Sequence, residues 1–381
     1  MRPLVAVCLG TRPEAIKMAP VIARLEETDA LHVSTIVTGQ HRELLQQALD
    51  VFGIEPDVDL DLMAPEQDLA QLTGRAVSAL GPVLDRLRPD AVLVHGDTTT
   101  TLCGALAAAY AQVPVGHVEA GLRSHDPASP FPEELNRRMV TQLARWHFAP
   151  TPAAAKQLVA DGVPRAGIDV TGNTVIDALM SIDAEGLDDA LPAPPPRRRR
   201  ILVTMHRRET HGDVQRSLCA MLAHLVAEHP VEVVLPLHPN PAVRAEVEGV
   251  LGNRRHVQLL EALDYRSFVA LLRTADLVLT DSGGLQEEAP SFDVPVLVLR
   301  ERTERPEGVA AGCARVVGTD AKRVQGHVLR LLEDDAAYTA MAASPNPYGD
   351  GRAAERIVRR LESDLHSDES MLHSTFALAS R

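Results

Sequence analysis

The chain predicts an α/β protein made of two Rossmann-like, doubly wound domains with a cleft between them. Three observations carry that prediction. Short apolar runs alternate with helix-like segments along the chain. The alternation restarts after a proline- and arginine-rich stretch at 191–200. The length of 381 residues, with 45% hydrophobic content, is long for one core and suits two.

The first series opens with a strand over 4–9 and a helix over 15–27, repeated as strand 32–38 and helix 42–52. It continues through helix 69–87, strand 91–94, helix 102–110, strand 115–118 and helix 133–146. The second series places strands at 201–204, 231–235, 257–259, 277–280 and 294–299, with helical segments between. Short runs of this apolar character suit strands buried on both faces of a parallel sheet. The proline-dense segment 191–196 reads as a solvated loop. Arg197 to Arg200 then read as a loop entering a strand, rather than as a basic patch for a polyanion. The chain is expected to change domain near Thr171-Gly172-Asn173-Thr174. That gives residues 1–172 plus 352–381 as the first domain and 173–351 as the second. The Ser- and His-rich tail beyond Ser363 is expected to fray.

Composition narrows the function. A net charge of −14 argues against a nucleic-acid binder, whose footprint is basic. The four cysteines are far apart and form no CxxC pair, which suits a reducing cytoplasm. The charge-free stretch 102–115 falls short of the roughly 20 residues a membrane helix needs. The apolar run 4–9 is too short for a signal peptide. A soluble cytoplasmic protein is the expectation.

Two strands end in carboxylates. One runs to Gly96-Asp97 before Thr98 to Thr101; the other runs to Val118-Glu119 before Ala120-Gly121-Leu122-Arg123. Ligands of open α/β sheets sit beyond the carboxyl ends of strands. Asp97 and Glu119 are thus expected in one cleft, and two carboxylates with no metal partner suit proton transfer. The first strand feeds Gly10-Thr11-Arg12-Pro13-Glu14-Ala15-Ile16-Lys17. Gly10 permits a tight turn, Pro13 suits a helix start, and Arg12 and Lys17 stand where an anion would find free N–H groups. There is no GxGxxG, so a tightly held nicotinamide cofactor has no support.

In the second series the strand at 277–280 opens through Asp281-Ser282-Gly283-Gly284 onto a helix carrying Glu287 and Glu288. Such a turn makes a nest of N–H groups that fits a pyrophosphate, and Glu287 or Glu288 could accept from ribose hydroxyls. Thr280 in place of glycine excludes the GxSxG nucleophile elbow. His206-Arg207-Arg208-Glu209 and His238-Pro239-Asn240-Pro241 also follow strands. No HExxH or other close ligand spacing occurs, so no metal is expected. Glu133 opens a predicted helix, where the dipole favours an acid on structural grounds alone.

Together the strings GTRPEAIKMAP, HGDTTTT, GHVEAGLRS, PEELNRR, TGNTVIDAL, HRRE, HPNP, TDSGGLQEEAP, TERPEG and NPYGDG resemble the non-hydrolysing UDP-N-acetylglucosamine 2-epimerase family. The resemblance runs from Gly10 to about Gly351, nearly the whole chain. It implies two Rossmann-like domains of the two-domain glycosyltransferase and phosphorylase architecture, the second binding UDP. It also implies a C-terminal helix, roughly 352–361, that crosses back to the first domain. The implied reaction interconverts UDP-GlcNAc and UDP-ManNAc without a cofactor. UDP leaves by anti elimination to give 2-acetamidoglucal, and re-adds after C2 is protonated on the other face.

The resemblance implies a catalytic set of Asp97, Glu119, Glu133 and His206, without choosing which removes the C2 proton. It assigns Arg12, Lys17, His206, Ser282, Gly283, Gly284 and Glu288 to UDP-sugar binding, with Phe268 near the uracil. Bacterial members often use UDP-GlcNAc as an allosteric activator; the matching positions are Gln40, Glu43, Arg75, Glu133, Arg207 and His238. Some members carry Gln where this chain has Glu43. A homodimer and a role in cell-envelope polysaccharide are further implications. Two rivals stand beside this reading. One is epimerisation of a modified UDP-sugar such as a diacetamido uronate. The other is a glycosyltransferase, which would need an acceptor site and leave Asp97 and Glu119 without a joint purpose.

Overall fold

A computed structural model describes residues 2–39, 42–64, 67–182, 196–207, 212–237 and 240–379. The chain divides into two compact units, residues 1–181 with 349–381, and residues 182–348.

The first unit begins β1 (Leu4–Leu9), α1 (Arg12–Glu27), β2 (His32–Val37), α2 (Arg42–Phe52), β3 (Val58–Asp59) and α3 (Leu69–Leu87). It continues β4 (Ala91–His95), α4 (Thr99–Tyr110), β5 (Val115–Val118), α5 (Glu133–Leu143), β6 (Trp146–Ala149), α6 (Pro152–Ala160), β7 (Ile168–Val170) and α7 (Thr174–Ser181). Its seven strands form a parallel sheet in the order β3-β2-β1-β4-β5-β6-β7. β1 and β4 are wholly buried apart from Leu4 and pair directly, Val5 opposite Ala91. Alanines, Cys103 and Gly104 bring α4 close to this sheet; a Cβ on Gly104 would meet Val94 Cγ1 at 2.9 Å.

Local caps set the helix starts. α1 begins at Arg12, ahead of the predicted residue 15, because Thr11 and Glu14 form a capping box. α4 likewise begins at Thr99 behind a box made by Thr98 and Thr101. The helix predicted over 133–146 stops at Leu143, and Trp146 instead opens β6. There Gly116 to Val118 pair with Trp146 to Phe148, and Trp146 is fully buried. Sheet pairing and burial override the local helical pattern.

The second unit runs β8 (Arg199–Thr204), α8 (Asp213–Glu228), β9 (Val231–Pro236), α9 (Pro241–Leu251), β10 (Val257–Leu260), α10 (Tyr265–Arg273), β11 (Leu277–Thr280) and α11 (Gly283–Glu288). Then follow β12 (Val296–Val298), α12 (Pro306–Ala311), β13 (Ala314–Val316), α13 (Ala321–Glu333) and α14 (Asp335–Ala342). Its parallel sheet has the order β10-β9-β8-β11-β12-β13. One core holds Val203, Leu222, Val233, Leu279, Leu297 and Val328. The arginine run is consumed here as a strand entry. Arg200 is 1% exposed and donates to Glu232 at 2.9 Å, Arg199 covers the Tyr338 ring, and Arg198 donates to the Val231 carbonyl.

Two sequence expectations move. α7, counted there with the second domain, packs on α1 and on α15 (Ala353–Ala379), so residues up to 181 lie with the first unit. The tail expected to fray beyond Ser363 continues α15 instead. Asp364 accepts from Trp146 Nε1 at 2.7 Å and from Arg360 Nε at 3.0 Å, and Leu365 is buried. The proline-dense stretch lies outside the described residues except for Pro196. Among the described residues, no helix is long and apolar enough to cross a membrane.

Candidate active site

In each sheet the strand order reverses between two neighbours, β1 and β4 in the first unit, β8 and β11 in the second. The crevice beyond the carboxyl ends at such a point is where open α/β sheets take ligands. Residues singled out from sequence follow all four strands.

In the first unit Glu119 closes β5 in a left-handed backbone conformation, φ 63°. A non-glycine residue there is uncommon and marks a site to inspect. Its Oε2 accepts from Lys17 Nζ, in an ion pair with side chains 15% and 9% exposed, and from Asn173 Nδ2 at 3.0 Å. Its other oxygen lies beside Gly96, 4.0 Å from where a Cβ would stand. Asp97 is next in the chain. Its carboxylate pairs with Arg137 and its carbonyl accepts from Asn136 Nδ2 at 2.9 Å. The structure thus brings Asp97 and Glu119 to neighbouring strand ends, the first held by Arg137 and the second by Lys17 from α1.

Glu133 and Glu134 separate into two roles. Glu134 is fully buried and accepts from the Ser124 N–H at 3.0 Å, from Arg138 at 2.8 Å and from Arg137 at 3.3 Å. Burial pushes its pKa up, but the Ser124 N–H and the two arginines outweigh it and hold the carboxyl below its ordinary value. Glu134 therefore anchors the loop onto α5. Glu133, at the first position of α5, is half-buried and makes no hydrogen bond or ion pair among the described residues.

The turn after β1 differs from its expectation. The Gly10 and Thr11 N–H groups do not await an anion: both donate to Glu14 Oε2, at 2.9 and 2.7 Å. Glu14 Oε1 accepts from Thr98 at 2.6 Å and lies 3.1 Å from Thr101 Oγ1, so one buried carboxylate ties the β1 turn to the β4 turn. Gly10 is required by closeness: a Cβ there would lie 2.0 Å from Thr100 Oγ1 and 2.6 Å from Thr38 Oγ1.

In the second unit His206 follows β8. Its N–H donates to Asp281 at 2.9 Å, and its Nδ1 lies 3.0 Å from Asp281 Oδ1. Asp281 is fully buried and also accepts from the Arg207 N–H at 2.9 Å. The pairing orients the ring and leaves Nε2 for a ligand. Ser282 follows, its N–H held by Thr280 Oγ1 at 2.9 Å. Gly283 and Gly284 are loosely surrounded: a Cβ on Gly283 would meet nothing nearer than Arg305 Nη2 at 4.0 Å, and one on Gly284 would meet Glu288 Oε1 at 3.8 Å.

Glu287 pairs with Arg305, and Glu288, the position the resemblance matches to UDP, is buried next to it on α11. Phe268 lies half-buried near the start of α10, the helix that follows the carboxyl end of β10. Sequence reasoning missed Asp281, Glu14 and Arg305 as site residues. Arg305 belongs to a string already singled out, TERPEG, but its place beside the glycine turn depends on packing.

Of the positions matched to an activator, four are described. Glu43 on α2 and Arg75 on α3 are exposed, and no ion pair joins them among the described residues. Arg207 lies 3.8 Å from Glu304 in the second unit. Gln40 and His238 lie outside the described residues.

The family model of UDP-N-acetylglucosamine 2-epimerase matches residues 23–362. A UDP-N-acetylglucosamine 2-epimerase from Salmonella typhimurium is 48% identical over 370 residues, which cover 94% of this chain and 98% of that protein. The crystal structure of the Neisseria meningitidis UDP-GlcNAc 2-epimerase bound to UDP-GlcNAc is similar at 44% identity and a TM-score of 0.86. It covers 95% of this chain and all of its own, 100%. The Methanocaldococcus jannaschii enzyme in complex with UDP-GlcNAc and UDP is 31% identical, TM-score 0.77, covering 94% and 99%.

Proposed function

The chain belongs to the UDP-N-acetylglucosamine 2-epimerase family, and from that premise we infer that it catalyses reversible C2 epimerisation of UDP-GlcNAc to UDP-ManNAc. The carbon to be inverted bears no ketone, so its proton is weakly acidic and departure of UDP must assist its removal. Elimination to 2-acetamidoglucal and re-addition after protonation of the opposite face meets both needs. One face then requires a base and the other an acid.

The observation that supports this reading most is the cluster at the first unit's strand ends. Glu119 sits in strained backbone against Lys17, Asp97 is fixed by Arg137, and Glu133 stands uncommitted on α5. Two of the three carboxylates are held in place by donors, so their proton transfers need little rearrangement. In the second unit the Ser282–Gly284 turn and Glu288 take the nucleotide, with Phe268 at the base. His206 and Arg305 of that unit supply donors to the diphosphate as it gains charge on leaving.

The test is epimerisation in deuterated water without added NAD or metal. Deuterium should appear at C2 of both sugars; retention of the original C2 proton would overturn the elimination. Substrate profiling against a diacetamido uronate separates the rival within the class. The proposal extends to UDP-GlcNAc as an activator through Gln40, Glu43, Arg75, Arg207 and His238, to a homodimer, and to a cytoplasmic enzyme serving cell-envelope polysaccharide. Four free, buried cysteines are compatible with a reducing compartment.

A further inference from the structure

Glu119 has a neighbour that the reaction as read above leaves without a purpose. His95, the last residue of β4, is 3% exposed, and its Nε2 lies 3.6 Å from Glu119 Oε2. That nitrogen has no hydrogen-bond partner among the described residues. An unpaired buried polar atom costs about 1–3 kcal/mol and calls for an explanation.

The rest of the site is arranged to hold His95 and keep its ring nitrogen open. Thr101 Oγ1 donates to the His95 carbonyl at 2.6 Å. The next carbonyl, of Gly96, accepts from His117 Nε2 at 2.7 Å. His117 is thus committed to the backbone, and burial holds its pKa down to about 3, so it stays neutral. His117 Nδ1 is also unpartnered, but it is His95 whose open nitrogen lies against Glu119. The titratable and charged groups around it are Glu119 and His117 from the end of β5, Lys17 from α1, and Asp97 two residues on.

The chemistry supplies the need. Inverting C2 takes a proton to one group and returns one from another, so a turnover leaves the base protonated and the acid ionised. Both must be reset before the next. Glu119 is 9% exposed at its side chain, which limits direct exchange with water.

We propose that His95 is the proton partner of Glu119. When Glu119 is protonated, its O–H bond breaks and the proton passes to the Nε2 lone pair of His95, leaving a carboxylate and an imidazolium. The reverse transfer restores both. The 3.6 Å separation shortens in the substrate complex, as catalytic hydrogen bonds commonly do. His95 acts through Glu119 and is a positioning residue rather than a group on the substrate. The inference rests on the epimerase reading.

The experiment compares wild type with His95→Gln: kcat and KM against pH, dependence of kcat on imidazole buffer concentration, and C2 deuterium incorporation. The wild type should incorporate deuterium, with kcat independent of imidazole. The variant should lose about 10²-fold in kcat with KM within about threefold. It should lose one ionisation from its kcat profile and regain turnover as imidazole rises. A variant kcat within about threefold of wild type, or an unchanged pH profile, overturns the proposal. So does a wild-type kcat that climbs with imidazole, which decides the matter even if the variant does not fold. Absence of C2 deuterium in the wild type overturns the epimerase reading itself, a result distinct from failure of His95 alone.

Discussion

At its reversal of strand order the first unit places Arg12 after β1 and Asp97 after β4; the second places His206 after β8 and Ser282 after β11. The scaffold is shared and the furnishing is opposite. The first unit's strand ends are filled with carboxylates pinned by Lys17, Arg137 and Asn173. The second unit's turn is left bare by two glycines beside Arg305. Even the glycines differ in purpose. Gly10 has no room for a side chain because protein fills the space, whereas Gly283 has room that protein does not use. A common topology therefore fixes where a site can be, while side-chain commitments decide whether that place does proton chemistry or binds an anion.

The largest effect should come from the acids. Glu119→Gln and Asp97→Asn are each expected to lower turnover by about 10²–10⁴-fold while UDP affinity, measured calorimetrically, changes little. Parallel loss of affinity would break the division of labour between the units. Next, Gly10→Ala should destabilise the protein by about 1–3 kcal/mol or more, read as a lower Tm, because Thr100 and Thr38 cannot both retreat. Gly283→Ala should leave Tm unchanged and raise KM for the UDP-sugar; a fall in Tm there would show that its space is structural.

Asp281→Asn should cut kcat by roughly tenfold by loosening His206, with stability nearly kept through the remaining amide oxygen. A pH experiment sharpens the comparison at smaller amplitude. Burial, named first among the causes, holds His117 at about 3 and His147 at about 4, both below the ordinary 6.5. The unfolded chain therefore binds more protons than the folded one between these values. Their contribution to stability is complete above pH 6.5 and is lost as pH falls toward 4 and 3, by about 1 kcal/mol per pH unit for each histidine. Both are on the first unit's sheet, so hydrogen exchange during acidification should open that unit first.

Much of this was legible in the chain. Apolar runs ending in Asp97, Glu119 and Thr280-Asp281-Ser282 mark strand ends, and the residues just beyond a parallel strand's carboxyl end are where ligands meet the sheet. Four short strands were not legible. β3, β6, β7 and β13 have two to four residues, and their pairing partners, not their own pattern, make them strands. The stop of α5 before Trp146 has the same origin.

What the sequence determined by itself was the class of fold, the family and the list of residues able to do the chemistry, because each depends on residue type and local spacing. The tertiary structure alone decided how those residues are committed. Glu14 spends its carboxylate on Thr98, 84 residues away, and on the N–H groups expected for an anion. Glu134 rather than Glu133 is anchored, Glu287 pairs with Arg305, Asp281 orients His206, and His95 faces Glu119 with a nitrogen unpaired. Hydrogen bonds are short and directional, and their partners here come from different strands and helices. Which of two adjacent carboxylates is left for catalysis is therefore settled only when the sheet closes around them.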